Sequence, residues 1–145
     1  MKRVRHVTGA TLLGLPVRLG NIELGRPVDV VVDVQRRRAL GLEVRCGDAS
    51  HRFLALSVAR VGEEEVAVDS PLLLLDVEQV DFYREQASTL RRMRGKQIGE
   101  AGTLADIVVG SDGEITDVVV ENAHGTRRMP LNGLTLPLAD RRRVT

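Results

Sequence analysis

Gly25-Arg26-Pro27-Val28-Asp29-Val30-Val31-Val32-Asp33-Val34 is the stretch on which the fold turns. Every even position from 28 to 34 is valine, while Asp29 and Asp33 fall on odd ones. That period of two fits a half-buried strand and not a helix. The next apolar run repeats it, with Leu40, Leu42, Val44 and Cys46 on one face and Glu43 and Arg45 on the other. Between the two, Gln35-Arg36-Arg37-Arg38 is expected to form a hairpin connection. A third strand is expected over 52–58, with Leu54, Leu56 and Val58 in phase, and a short one over 65–69. Short strands joined by tight turns make a small antiparallel sheet or barrel.

The pattern then changes. Residues 76–93 contain no Gly or Pro, and Val77, Val80, Tyr83 or Arg84, Ala87 and Leu90 recur at three- and four-residue steps, the signature of an amphipathic helix. Asp76 suits its N-cap with Gln79 three positions on, Arg91, Arg92 and Arg94 suit the negative end of its dipole, and Gly95 suits the stop. Strand pattern resumes over 104–109 and 115–121, joined by the turn Ser111-Asp112-Gly113-Glu114, and continues over 126–131 and 134–138.

The second run of strands matches the first. Gly25-x-x-x-Asp29-Val-Val-Val-Asp33 aligns with Gly102-x-x-x-Asp106-Ile-Val-Val-Gly110, and Leu42-Glu-Val44 with Val118-Val-Val120 one residue out of phase. The spacing indicates an internal duplication of a unit of roughly 55–65 residues, a size able to form a small domain. The expected organisation is a first β domain over 1–75, a connecting helix over 76–94, and a shorter second copy over 95–145.

These residues carry a resemblance. Leu13-Gly14-Leu15-Pro16-Val17, the Gly25–Asp33 stretch, Leu40-Gly-Leu-Glu-Val44 and Arg52-Phe-Leu-Ala-Leu-Ser57, in that order, resemble the PRC-barrel family. That small β-barrel is shared by the H subunit of the photosynthetic reaction centre and a ribosome maturation factor. Gly95-Lys-Gln-Ile98, the Gly102–Gly110 stretch, Val118-Val-Val120 and Arg128-Met-Pro-Leu131 resemble it again, so the likeness covers 12–70 and 93–145. It implies a mainly β fold of two small PRC-barrel-like antiparallel barrels or sheets with one connecting α-helix. The loop from Gly95 to Gly102 is shorter than its counterpart from Gly14 to Gly25, so the second barrel is expected to be incomplete or completed by strands from elsewhere. The family shares no catalytic residues and acts through adaptor modules that dock proteins, RNA–protein particles or membrane complexes. The resemblance therefore implies a non-enzymatic adaptor.

Composition narrows the partners. The 145 residues are 43% hydrophobic, but aromatics make up only 2%, too few for a base-stacking surface. No apolar run reaches the 18 or so residues of a membrane span. The basic start leads into no apolar signal core, and the one cysteine cannot make an internal disulfide, so the bacterial cytoplasm is the expected compartment. The net charge of +1 is uneven: 1–60 carries +6, 61–121 carries −9 and 122–145 carries +4.

His6, His51 and His124 are scattered without metal-ligand spacing, Cys46 is in phase with a buried face, and no Gly-rich loop leads through Lys into a helix. No catalytic residue, cofactor or metal is expected. Asp29, Asp33 and Asp106 lie opposite the apolar faces; a solvated strand face is the leading reading, a shared cation or basic partner the other. The best binding candidates are Arg36, Arg37 and Arg38, then Arg91, Arg92 and Arg94, with Asp29 and Asp106 beside them. Arg127-Arg128 and Arg141-Arg142-Arg143 are further clusters. The expected partner is a protein, with homo-oligomerisation through sheet edges in view. An RNA or ribosome surface read through arginine is one alternative. A peripheral site on a membrane complex is another.

Overall fold

The computed structural model describes residues 5–76 and 87–137 of the 145. The fold is mainly β, with curled, barrel-like sheets. The first sheet holds β2 (Val17–Leu19), β3 (Ile22–Asp33), β4 (Arg38–Cys46), β5 (His51–Ala55), β6 (Arg60–Val61), β7 (Val66–Ala67) and β8 (Leu74–Asp76), in the order β6-β7-β2-β3-β4-β5-β8, with β9 (Ser88–Thr89) alongside β3. The second holds β1 (His6–Thr8), β11 (Gly102–Gly110), β12 (Ile115–Asn122) and β13 (Gly125–Pro130) in the order β1-β11-β12-β13, with β10 (Gln97–Ile98) alongside β11. The β2–β7 ladder is parallel and the other described ladders are antiparallel.

The two central hairpins share their irregularities. The β3–β4 register slips between Pro27 and Asp29 and again between Val31 and Val32; the β11–β12 register slips between Leu104 and Asp106 and again between Val108 and Val109. A β-bulge bends its strand and raises the local twist, so the paired slips curl both sheets alike. The one-residue phase difference seen in the sequence is taken up in the turns: Asp33 pairs with Arg38 in one, while Gly110 N–H bonds the Glu114 carbonyl in the other.

The sheets do not follow the two halves of the chain. β1, from the first half, pairs with β11, and β9, from the second, pairs with β3. Each of these strands runs straight into a short helix, α1 (Gly9–Leu13) after β1 and α2 (Leu90–Met93) after β9. Both helices touch both β3 and β11. Thr8 Oγ1 caps α1 by accepting from Thr11 N, and Thr89 Oγ1 caps α2 by accepting from Arg92 N. One hydrophobic cluster then unites the sheets, with Leu12, Val30, Leu42, Met93, Ile107 and Val118 all fully buried. Each such side chain contributes about 1.5–3 kcal/mol through the apolar surface it hides.

Three expectations need correction. A continuous helix over 76–93 does not form: Asp76 closes β8, Ser88 and Thr89 are β9, and among the described residues of this range helix is confined to Leu90–Met93; the rest of the expected helix, 77–86, lies outside the described residues. Ser88 is buried and ladder-paired, and β-branched Thr89 serves as an extended cap, so tertiary pairing overrides the helical period at its end. The third strand stops at Ala55, because Leu56–Val58 turns into a 3₁₀ helix and leaves Val58 exposed. Residues 134–137 carry no strand; Leu136 instead packs into the core as irregular chain.

Candidate interaction surfaces

Asp29 and Asp106 are not on a solvated face. Both are buried, at 8% and 9% exposure, because the bulge just before each turns its side chain beneath the neighbouring helix. Asp29 Oδ1 accepts from Val30 N at 2.9 Å and from Arg91 N at 3.0 Å, at the start of α2. Asp106 Oδ1 accepts from Ile107 N at 2.8 Å, and its Oδ2 accepts from Ala10 N at 3.1 Å, at the start of α1. Each carboxylate thus supplies a helix start contributed by the other half of the chain with an acceptor for one of its orphan N–H groups. These oxygens are committed to backbone donors, and no group of three or more His, Cys, Asp or Glu side chains gathers to hold a metal among the described residues. Asp33 is half-buried at the turn, where its Oδ1 accepts from Arg36 N.

The arginine candidates fall at two places along β3. At the Asp29 end, Arg91 and Arg92 are exposed on α2, and Arg94 Nε donates to Ala105 O at 3.1 Å with its Nη2 4.0 Å from Asp106. At the Asp33 end, Arg36 is solvent-exposed, while Arg38 donates to the Asp112 carbonyl and its backbone pairs with that of Glu114 in an isolated antiparallel β-bridge. Ala39 N donates to Gly113 O at 2.7 Å and Ile115 N donates to Arg37 O at 2.9 Å, so the two hairpin ends clasp each other. The structure therefore joins Asp29 to Arg91 and Asp106 to Arg94, and holds Arg37 and Arg38 against the 110–115 turn, with Arg36 exposed beside Asp33. Arg141, Arg142 and Arg143 lie outside the described residues.

Most remaining arginines have a partner. Arg18, Arg26, Arg52, Arg60 and Arg128 make ion pairs with Glu65, Glu23, Asp76, Asp69 and Asp117. The Arg128 guanidinium, 2.9 Å from Asp117, holds that carboxyl below the usual carboxylate range. Cys46, half-buried and packed against the core, has its thiol pushed up chiefly by burial.

Two sheet margins are more telling than the clusters. The outer edge of β5 is covered by β8, with Arg52, Phe53 and Leu54 opposite Asp76, Leu75 and Leu74. The outer edge of β13 has no strand partner among the described residues, and all its residues except half-buried Met129 are exposed. Sequence reading saw Arg127 and Arg128 as a charge cluster and missed the edge, because strand order is a tertiary property. A cleft lined by Val7, Leu12, Leu56, Val61 and Val109 has a volume of about 70 Å³, against 300–1,000 Å³ for typical small-molecule sites. No helix among the described residues is long and apolar enough to cross a membrane. No family model matches the chain, and no match to a curated protein was found.

Proposed function

We propose that the chain is a non-enzymatic docking module of the PRC-barrel kind, built from two copies of one small β unit and serving as a protein adaptor in the bacterial cytoplasm. The observation that carries this reading is the reciprocal construction of the halves. The same bulges, the same capped short helix after a pairing strand and the same buried aspartate occur in each, with each aspartate bonded into the other's helix. The two buried carboxylates, Asp29 and Asp106, are bonded to backbone donors of this scaffold. What faces outward is arginine-bearing hairpin and sheet margin, surfaces suited to recognising another chain.

Affinity capture from the native host tests the reading, using the full chain and a variant carrying Arg36→Gly, Arg37→Gly and Arg38→Gly. Arg37 sits at φ 56, so glycine relieves strain there, and circular dichroism checks that the hairpin keeps its shape without the Arg38–Asp112 contact. A defined protein partner retained by the wild type and lost by the variant is the expected result. Retention of RNA instead, weakening steeply as salt is raised, would replace the adaptor reading with a ribonucleoprotein one.

A further inference from the structure

We propose that the free edge of β13 is a docking groove for an extended acidic segment of a partner protein, which adds to the second sheet as an antiparallel strand. The inference rests on the docking reading above and names its site and the chemistry of its partner.

The first sheet supplies the precedent. In the β4–β5 ladder Arg52 lies opposite buried Val44 and Leu54 opposite buried Leu42; in the β12–β13 ladder Arg127 lies opposite buried Val120 and Met129 opposite buried Val118. Arg127 and Met129 therefore hold the stations of Arg52 and Leu54. On the far side of β5 those stations are filled: β8 runs antiparallel, setting Leu74 against Leu54 and Asp76 against Arg52, with Arg52 Nη1 3.1 Å from Asp76 Oδ1. On the far side of β13 no described strand takes that place, Arg127 is exposed, and no ion pair is found for it among the described residues. Its neighbour Arg128 is neutralised from within by Asp117.

Added strands gain main-chain hydrogen bonds from the edge and specificity from alternate side chains. The edge thus calls for an apolar residue opposite Met129 and, two residues on, an aspartate or glutamate opposite Arg127, the pattern of Leu74-x-Asp76. A second copy of β13 is a poor occupant, since antiparallel self-pairing sets arginine against arginine across the ladder. Charge that rejects self-pairing and admits an acidic strand is selection by repulsion as well as attraction.

The test uses the full chain and a labelled synthetic peptide of alternating threonine with a Leu-Thr-Asp centre, beside a control with lysine in place of the aspartate. The wild type is expected to bind the aspartate peptide, with amide shifts centred on 125–130, and to discriminate against the lysine peptide at least tenfold. Arg127→Glu should reverse that preference, and Arg127→Gln should abolish it, both with unchanged circular dichroism. Equal binding of the two peptides, binding of neither, or shifts centred on another edge overturns the inference. So does binding seen only after the chain is shortened to end at Pro137, which would make its own C-terminal residues the occupant. If Arg127→Glu still captures the host partner, the edge inference fails alone. If the wild type captures none, the docking reading itself fails.

Discussion

Asp29 and Asp106 show how a buried carboxylate can tie a strand to a helix start. Each accepts two backbone N–H bonds, and removing the side chain strands donors in a place water reaches poorly. Asp29→Ala and Asp106→Ala should each cost about 1–3 kcal/mol in urea unfolding, with the Asn variants costing less because the amide oxygen still accepts. Cys46 belongs to this scale too. Burial, its largest influence, raises its thiol pKa, so at neutral pH it should react with iodoacetamide more slowly than a free thiol of ordinary pKa and at full rate only in denaturant. Asp117 behaves oppositely: its folded pKa lies below its unfolded one, chiefly through the Arg128 hydrogen bond. The stabilisation is complete above the ordinary carboxylate range and is lost as pH falls through the depressed value. Arg128→Ala should move the Asp117 titration upward toward its ordinary range, followed by carboxyl NMR.

The elements show what the sequence made legible. The period of two at 28–34, the hairpin after it and the match of Gly25–Asp33 to Gly102–Gly110 all point to paired curled sheets, because alternation and turn residues are local. The helical period over 76–93 misleads at its end, since Ser88 and Thr89 answer to Val32 and Val31 across the sheet rather than to their neighbours in sequence. Nor does any local pattern reveal that α1 and α2 meet. That contact fixes Gly9, where a Cβ would sit 2.6 Å from Asp106 Oδ1 and closer still to Leu90. Gly9→Ala should therefore cost about 1–3 kcal/mol by overpacking, although alanine is the better helix former. Gly102 is bound differently: it has φ +137 and an ideal Cβ would fall 2.5 Å from the Glu121 carbonyl, so substitution there strains the backbone as well.

Across the whole molecule, one core and two exchanged strands tie the halves together. Thermal or urea unfolding should show a single transition by circular dichroism and by hydrogen exchange in β3 and β11 alike, rather than two steps. The margins complete the design: the outer edge of β5 is covered from within by β8, and its counterpart at β13 is charged and has no strand partner among the described residues. The crossing of β1 to β11 also sets an order of events during synthesis. β1 pairs with β11, His6 opposite Gly110, so once made it must wait until about a hundred further residues have emerged. Until residues 88 and 89 emerge, the growing chain holds β3 and β4 as a hairpin with Val31 and Val32 bare of their β9 partners. Contacts of such sequence separation are slow to close and expose unpaired margins meanwhile. β1 therefore stays without its partner strand until residues 102–110 arrive.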